Sequence, residues 1–125
     1  MADLPAEWNR RYRDMLGVTP SNDSEGCLQD VHWSEGLFGY FPSYLLGHLI
    51  SAQLCQAMAS EIGAPEDHVA NGDITPLLGW LRQHVHPVGR ALNAEDLVRQ
   101  VTGRPLDSTA FLQHVRGKVQ ALQPA

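Results

Sequence analysis

The segment from Pro42 to Ile62 constrains the fold of this chain more than any other part of its sequence. Pro42 opens it, and Gly63 and Pro65 follow it in the order that commonly ends a helix. Large apolar residues surround most of this segment: Leu45, Leu46, Leu49, Ile50, Leu54 and Met58. Small residues occupy every fourth position along one side: Gly47, Ser51, Cys55 and Ala59. Small residues let a second helix approach closely, and a helix apolar on so many sides is normally buried, so we expect a long, buried central helix.

Helix signals also appear on both sides of this long segment. Apolar residues recur at i, i+4 before Gly17, which predicts a first helix: Leu4, Trp8, Tyr12 and Leu16. Three shorter helices are predicted after the long one, and capping residues mark their starts: Asp73 or Thr75, Asn93 with Asp96 three residues on, and Asp107 or Ser108. Residues 18–25 are rich in turn formers and predict a loop. The sequence therefore predicts an all-α fold, a small helical bundle around the central helix, in a single domain over residues 1–125.

The short helices do not offer enough apolar surface to cover the long one. Wrapping a helix that is apolar on most sides takes neighbours all around it, and the short helices have only modest apolar faces. We therefore expect that part of the protein that covers the long helix lies outside this sequence.

Composition and charge exclude several classes of function. The chain has 125 residues, of which 43% are hydrophobic and 18% charged, and no apolar run approaches the ~20 residues that span a bilayer. The net charge is -5 with scattered basic residues, which argues against nucleic acid as a partner. The N-terminus lacks the pattern of a signal peptide, so we expect a cytoplasmic protein without membrane attachment, in which Cys27 and Cys55 are reduced.

The irregular segment before the long helix contains the first candidate site. Asp30 and His32 stand two residues apart, which in extended backbone places both side chains on the same side. The carboxylate could then orient the imidazole and set its tautomer, and such a histidine can donate a hydrogen bond to a developing oxyanion. The alternative is that His32 and Trp33 pack and Asp30 caps a turn.

Two tyrosines near the start of the long helix are further candidates. Tyr40 and Tyr44 are four residues apart with Pro42 between them. Either phenol could point into a cleft and bind an anionic or carbonyl oxygen. Alternatively, aromatic residues at this spacing belong to the core.

The sequence offers little for metal binding or nucleophilic catalysis. It contains no HExxH motif and no two histidines four residues apart, and two cysteines are too few for a structural zinc site. We therefore expect no metal site built wholly from this chain. There is no GxSxG motif or Gly-rich phosphate loop, and we expect Cys55 to be an inert thiol within a buried row of small residues.

The segment Gly26–Trp33 resembles the GxxQDxHW signature of the M32 carboxypeptidases at every fixed position. The resemblance continues from Ser34 to Gly47, into the start of the long helix, and extends to Leu4–Tyr12 upstream and to Trp80, Thr102–Gly103 and Phe111–Leu112 downstream. It covers nearly all of this chain but only the final quarter of a family member. His114 and Val119 depart from the pattern, since family members tend to have aromatic residues there.

The resemblance implies an activity for the family. M32 enzymes are all-α, usually homodimeric zinc carboxypeptidases that remove C-terminal residues from peptides. Their HExxH helix and third zinc-ligating glutamate precede the region that is similar to this chain. The resemblance therefore implies zinc as the cofactor of the full-length enzyme, peptide C-termini as its substrates and a homo-oligomer, with no zinc bound by this chain alone.

The resemblance also implies roles for individual residues. His32 would stabilise the tetrahedral intermediate or bind the peptide, and Tyr40 would assist at the scissile carbonyl or the substrate carboxylate. Asp30 would orient His32, and the remaining candidates would bind substrate or support the site: Gln29, Trp33 and Tyr44. We expect a C-terminal portion of a metallocarboxypeptidase that is inactive alone. The alternative is a stand-alone helical module that binds peptides or dimerises.

Overall fold

The structure, a computed structural model, describes residues 3–123, and these residues are helical with no β-strand. Within residues 3–123 the α-helices are α1 Leu4–Leu16, α2 Pro42–Ile62, α3 Pro65–Ala70, α4 Thr75–His84, α5 Ala94–Thr102 and α6 Thr109–Leu122. Two short 3-10 helices lie at Cys27–Gln29 and His86–Val88. The predicted all-α fold is confirmed. Among the described helices, none combines the length and apolarity needed to cross a membrane.

Local signals place most helix ends where the sequence predicts them. The Asn93 side chain accepts a hydrogen bond from the backbone N–H of Asp96 at 2.9 Å and donates to the Asp96 carboxylate at 2.8 Å, which caps α5. Gly17 and Gly103 follow α1 and α5 with φ angles of 70° and 71°. Glycine adopts this left-handed conformation without a steric penalty, so both helices end there.

Helix α3 is an addition to the predicted elements. It starts at Pro65, two residues after Gly63, and is too short to show an apolar period. His68 on α3 makes a 2.8 Å hydrogen bond through Nε2 with the carbonyl of Ile62. The last carbonyls of a helix lack partners within it, so this contact stabilises the end of α2.

The chain forms two compact units, one ending at Ser43 and one beginning at Tyr44. In the first unit, α1 contacts the 3-10 helix that contains the buried Cys27. The core of the second unit comes from α2, α4, α5 and α6, and its buried side chains are Gln53, Met58, Trp80, Val98 and Ala110. Whether the chain behaves as a single domain stays a prediction.

The expectation of a buried central helix is wrong for the described chain. Of the side chains of α2, only Gln53 and Met58 are buried, while Leu45 and Leu46 are about half exposed. Cys55, which we expected to be buried, is also exposed. The physical reason is that three short helices with one apolar face each do not surround a helix that is apolar on most sides.

Gln53 connects α2 to the segment between α5 and α6 from a fully buried position. Its amide nitrogen donates to Thr102 Oγ1 at 3.2 Å and to the carbonyl of Pro105 at 3.0 Å. Its amide oxygen accepts a hydrogen bond from the backbone N–H of Asp107 at 3.2 Å. These bonds satisfy the buried amide and fix the approach to α6.

Candidate active site

The candidate site lies in the first unit, on the irregular segment that follows the 3-10 helix Cys27–Gln29. Gly26 precedes this helix and is buried next to Pro20. A Cβ atom at position 26 would lie 3.3 Å from both the Asn22 carbonyl oxygen and the Pro20 Cβ, so the close approach favours glycine. Asp30 then takes an extended conformation with φ -80° and ψ 92°. Residues 31–36 then form turns, so it is a turn and not a continuous extended segment that brings Asp30 and His32 together.

Asp30 and His32 form the best-defined polar contact of this segment. His32 Nδ1 lies 2.7 Å from Asp30 Oδ1, and the backbone N–H of His32 donates to the same oxygen at 3.0 Å. The two side chains are only 15% and 11% exposed. When the Asp30 carboxylate is ionised it can only accept, so in that state Nδ1 donates the proton of this bond. Asp30 Oδ1 thus contacts both the backbone N–H that closes a turn and the imidazole ring.

Aromatic rings lie against the imidazole of His32. The centroid of the Tyr40 ring lies 5.2 Å from that of His32, and the Phe41 ring centroid lies 5.6 Å away. Tyr40 is 48% exposed. The structure therefore brings together three of the predicted residues, the carboxylate of Asp30, the imidazole of His32 and the phenol ring of Tyr40.

Trp33 packs within the first unit. Its ring meets Trp8 of α1 edge to face, with the centroids 6.3 Å apart, and lies nearly parallel to Phe38 at 6.4 Å. Trp8 in turn stacks on Tyr12 at 5.1 Å. Such aromatic contacts fix the segment on α1 and thereby the position of its neighbour His32.

Gln29 and Tyr44 are the two remaining predicted residues. The side-chain amide of Gln29 donates to the backbone carbonyl of Ser24, a contact that holds the loop before the 3-10 helix. Tyr44 lies in the first turn of α2, belongs to the second unit and is about half exposed. The geometry therefore gives Gln29 a role in shaping the segment.

The described residues do not fit a zinc ion by themselves. Zinc in proteins takes three or four side-chain ligands, and among residues 3–123 no group of three His, Cys, Asp or Glu side chains could hold a metal. The Asp30–His32 pair supplies two candidate ligands at most, and its Nδ1 and Oδ1 atoms already bond to each other. We derive no step through zinc from this chain.

Sequence and structure comparisons define the class of protein. A family model described as the carboxypeptidase Taq (M32) metallopeptidase matches residues 1–119. The chain belongs to the M32 family of metallopeptidases, which confirms the resemblance carried by the Gly26–Trp33 segment.

Individual relatives agree with this membership. The chain is 43% identical over 120 residues to thermostable carboxypeptidase 1 of Thermus thermophilus and 40% identical over 120 residues to carboxypeptidase 1 of Bacillus subtilis. It is similar to an M32 carboxypeptidase structure from Deinococcus radiodurans, with a TM-score of 0.87 and 35% identity over 97% of this chain. A Trypanosoma cruzi metallocarboxypeptidase 1 structure gives a TM-score of 0.85 and 36% identity over 95% of this chain.

The chain spans about a quarter of the length of these proteins. It covers 24% of each of the two sequence relatives, 24% of the Deinococcus structure and 25% of the Trypanosoma structure.

Proposed function

We propose that this chain supplies the peptide-binding and transition-state side of a zinc-dependent carboxypeptidase active site. The observation that carries the proposal is the 2.7 Å contact between Asp30 and His32. In this proposal the chain corresponds to the C-terminal quarter of a cytoplasmic, homo-oligomeric enzyme, and the zinc ligands lie on residues outside it. The substrates are peptides with a free C-terminus.

His32 is the proposed catalytic residue of this chain. With Nδ1–H bonded to Asp30, a protonated ring carries its second proton on Nε2, which can donate to an oxyanion. When a peptide carbonyl is attacked, its oxygen gains negative charge, and a donor that is already oriented stabilises that charge without reorganisation. Asp30 acts through His32 by fixing the ring.

Tyr40 is the proposed second contact with substrate. Its ring lies 5.2 Å from that of His32, and a phenol can donate a hydrogen bond to a scissile carbonyl or to a terminal carboxylate. Gln29 and Trp33 support the site by holding the loop and the segment in place, and Tyr44 is a further candidate for substrate contact. A carboxylate-binding phenol beside an oxyanion donor suits an enzyme that acts on C-termini.

Activity assays test which part of the active site this chain supplies and which part the rest of the family enzyme supplies. The purified chain, dialysed after incubation with zinc, should retain no stoichiometric metal and release no C-terminal amino acid from peptides. A graft, in which residues 1–119 replace the matching quarter of the Bacillus subtilis relative, should release C-terminal amino acids, whereas the relative without that quarter should not. Stoichiometric zinc with turnover by the chain alone would overturn the proposal.

A peptide-binding module is the second candidate, and the half-exposed Tyr40 and Phe41 rings beside His32 favour it. It predicts micromolar binding of a peptide to the chain alone. That binding should be lost in His32→Ala and weakened in Tyr40→Phe, and it should depend on a free peptide C-terminus. Equal binding of an amidated peptide would argue for general contact with the aromatic rings.

A further inference from the structure

Backbone hydrogen bonds hold Tyr40 on both sides within the first unit. Its N–H donates to the carbonyl of Leu37 at 3.3 Å, which closes a turn over residues 37–40. Its carbonyl accepts from the backbone N–H of Ser43 at 2.9 Å and from the Ser43 hydroxyl at 2.6 Å. The position of the Tyr40 side chain therefore depends on the shape of the turn that precedes it.

The same turn is tied to His32. The backbone N–H of Leu37 donates to the carbonyl of His32 at 2.8 Å. Leu37 thus bonds to His32 through its N–H and to Tyr40 through its carbonyl. The shape of the turn that joins Leu37 to Tyr40 therefore sets the distance between the two rings, whose centroids lie 5.2 Å apart.

Gly39 is the third residue of this turn and has a φ angle of 76°. A turn with positive φ at its third position calls for glycine or asparagine there. For alanine, the left-handed conformation reduces the statistical weight by ~5–30-fold relative to glycine. A Cβ atom at position 39 would meet no heavy atom within 4 Å, so space does not require glycine. The backbone angle is therefore the property for which this position needs glycine.

We propose that Gly39 is a positioning residue of the candidate active site. Its left-handed backbone closes the turn that holds the Tyr40 ring against His32, and it acts on the reaction through Tyr40. This inference rests on the substrate contact proposed for Tyr40. It adds a residue without a side chain to those that determine the geometry of the site.

The nuclear Overhauser effect between the ring protons of Tyr40 and His32 tests the positioning in the purified chain, without reference to catalysis. Gly39→Ala should weaken this signal by at least ~2-fold, because alanine disfavours the left-handed backbone. Gly39→Asn should retain it, since asparagine adopts positive φ much more readily. Gly72→Ala is the matched control, because Gly72 has a φ angle of 71° and open space around it but lies in the second unit. It should leave the signal unchanged.

Three results of this experiment would contradict the proposal. An unchanged signal in Gly39→Ala would show that the backbone angle does not hold the ring. Equal losses in Gly39→Ala and Gly39→Asn would show that any side chain at this position moves Tyr40, whatever its backbone preference. Loss of dispersed amide signals throughout the Gly39→Ala chain would show a general role in folding, whereas the proposal confines the effect to the turn before Tyr40.

Kinetics of the graft test whether Gly39 acts through the Tyr40 hydroxyl. Tyr40→Phe should lower kcat/KM by about 10-fold, and Gly39→Ala should lower it by at least ~2-fold. The double variant should be no slower than Tyr40→Phe alone, because the glycine acts through a group that Tyr40→Phe has removed. Gly39→Asn and Gly72→Ala should retain the kcat/KM of the unsubstituted graft.

The kinetic outcomes separate failure of this inference from failure of the proposed function. If the losses in Gly39→Ala and Tyr40→Phe multiplied in the double variant, Gly39 would act independently of Tyr40 and the proposal would be overturned. Full activity of the Tyr40→Phe graft would instead overturn the proposed substrate contact of Tyr40, and with it the catalytic consequence of Gly39. An unchanged ring signal in the Gly39→Ala chain overturns the role of Gly39 alone.

Discussion

His32 Nδ1 lies 2.7 Å from Asp30 Oδ1, and the same carboxylate oxygen accepts the backbone N–H of His32 at 3.0 Å. One oxygen therefore fixes both the turn and the ring that extends from it. Because the ring is held through Nδ1, its Nε2 position has a defined direction. The polar contact of the candidate site is thus made by residues two positions apart.

Asp30→Ala should remove the hydrogen bonds that hold the His32 ring in one orientation. The variant loses two hydrogen bonds to a charged acceptor, each worth about 1.5–3 kcal/mol when the acceptor is ionised. We expect NMR of the imidazole nitrogens to show loss of the fixed Nδ1–H tautomer, together with a lower free energy of unfolding. Glu35→Ala, at an exposed position of the same segment, is the control. Unchanged ring signals in Asp30→Ala would show that the contact does not hold the ring.

Gln53→Ala should destabilise the chain much more than Gln56→Ala on the same helix. Gln53 is fully buried with three hydrogen bonds, and its loss leaves partly buried groups such as the Asp107 N–H without their partner. We expect a decrease of about 2–4 kcal/mol in the free energy of unfolding. Gln56 bonds Gln113 and Arg104 at the surface, so its removal should cost less than about 0.5 kcal/mol. Urea unfolding of both variants measures the difference, and equal losses would contradict it.

The Cys55 thiol should react slowly near neutral pH in the chain alone. Cys55 is exposed, but its neighbours shield the thiol from part of the surrounding water. This desolvation, followed by the negative charge of Glu66, raises the pKa of Cys55 above its ordinary value. Since the thiolate is the reactive form, its labelling rate with N-ethylmaleimide should still rise with pH above about 8.5. Glu66→Gln should shift this pH profile to lower pH, and Glu95→Gln, on α5, should not. If Glu66→Gln left the pH profile of Cys55 labelling unchanged, the charge of Glu66 would not contribute to the raised pKa of Cys55.

Glu7 should stay ionised to unusually low pH. Hydrogen bonds from Arg10 and then Arg11 lower the pKa of Glu7 to about 2. A lowered pKa in the folded state means that the pair contributes stability above about pH 4.3, the unfolded value, and loses it as the pH falls towards 2. The contribution is small because the pair is exposed and screened by salt.

NMR titration of the Glu7 carboxyl tests this assignment. Arg10→Gln should raise its pKa more than Arg11→Gln, since the Arg10 hydrogen bond is the larger cause. Arg82→Gln, at an exposed position of α4, should leave it unchanged. A larger increase of the Glu7 pKa in Arg11→Gln than in Arg10→Gln would show that Arg11 makes the larger contribution.

The helices that the sequence predicts correctly are those with local signals. Asn93 caps α5 with its own side chain, and Gly17 ends α1 through its own backbone conformation. The contact between Asp30 and His32 also involves residues close in sequence, so their spacing predicts it as one of two alternatives. Helix α3 has Pro65 at its start and Glu66 and Asp67 in its first turn, but it is too short to display an apolar period.

Burial could not be predicted in the same way, because it depends on partners that are distant in the sequence or outside it. Leu45 and Cys55 are exposed since no described helix covers them, although their pattern is typical of a buried helix. Gln53 is fully buried against hydrogen-bond partners that lie about 50 residues further along the chain, at Thr102 and beyond. A polar residue in an apolar helix gives no sign of such a distant partner.

The direct test of the central claim is the kcat/KM of the graft carrying His32→Ala, measured by release of a C-terminal amino acid. If His32 donates to the developing oxyanion, kcat should fall by about 10²–10³, as it does when one such donor is removed from a hydrolase. His86→Ala, at an exposed histidine in the 3-10 helix His86–Val88, should leave kcat/KM unchanged. A His32→Ala graft as active as the His86→Ala graft would contradict the proposed role of this chain.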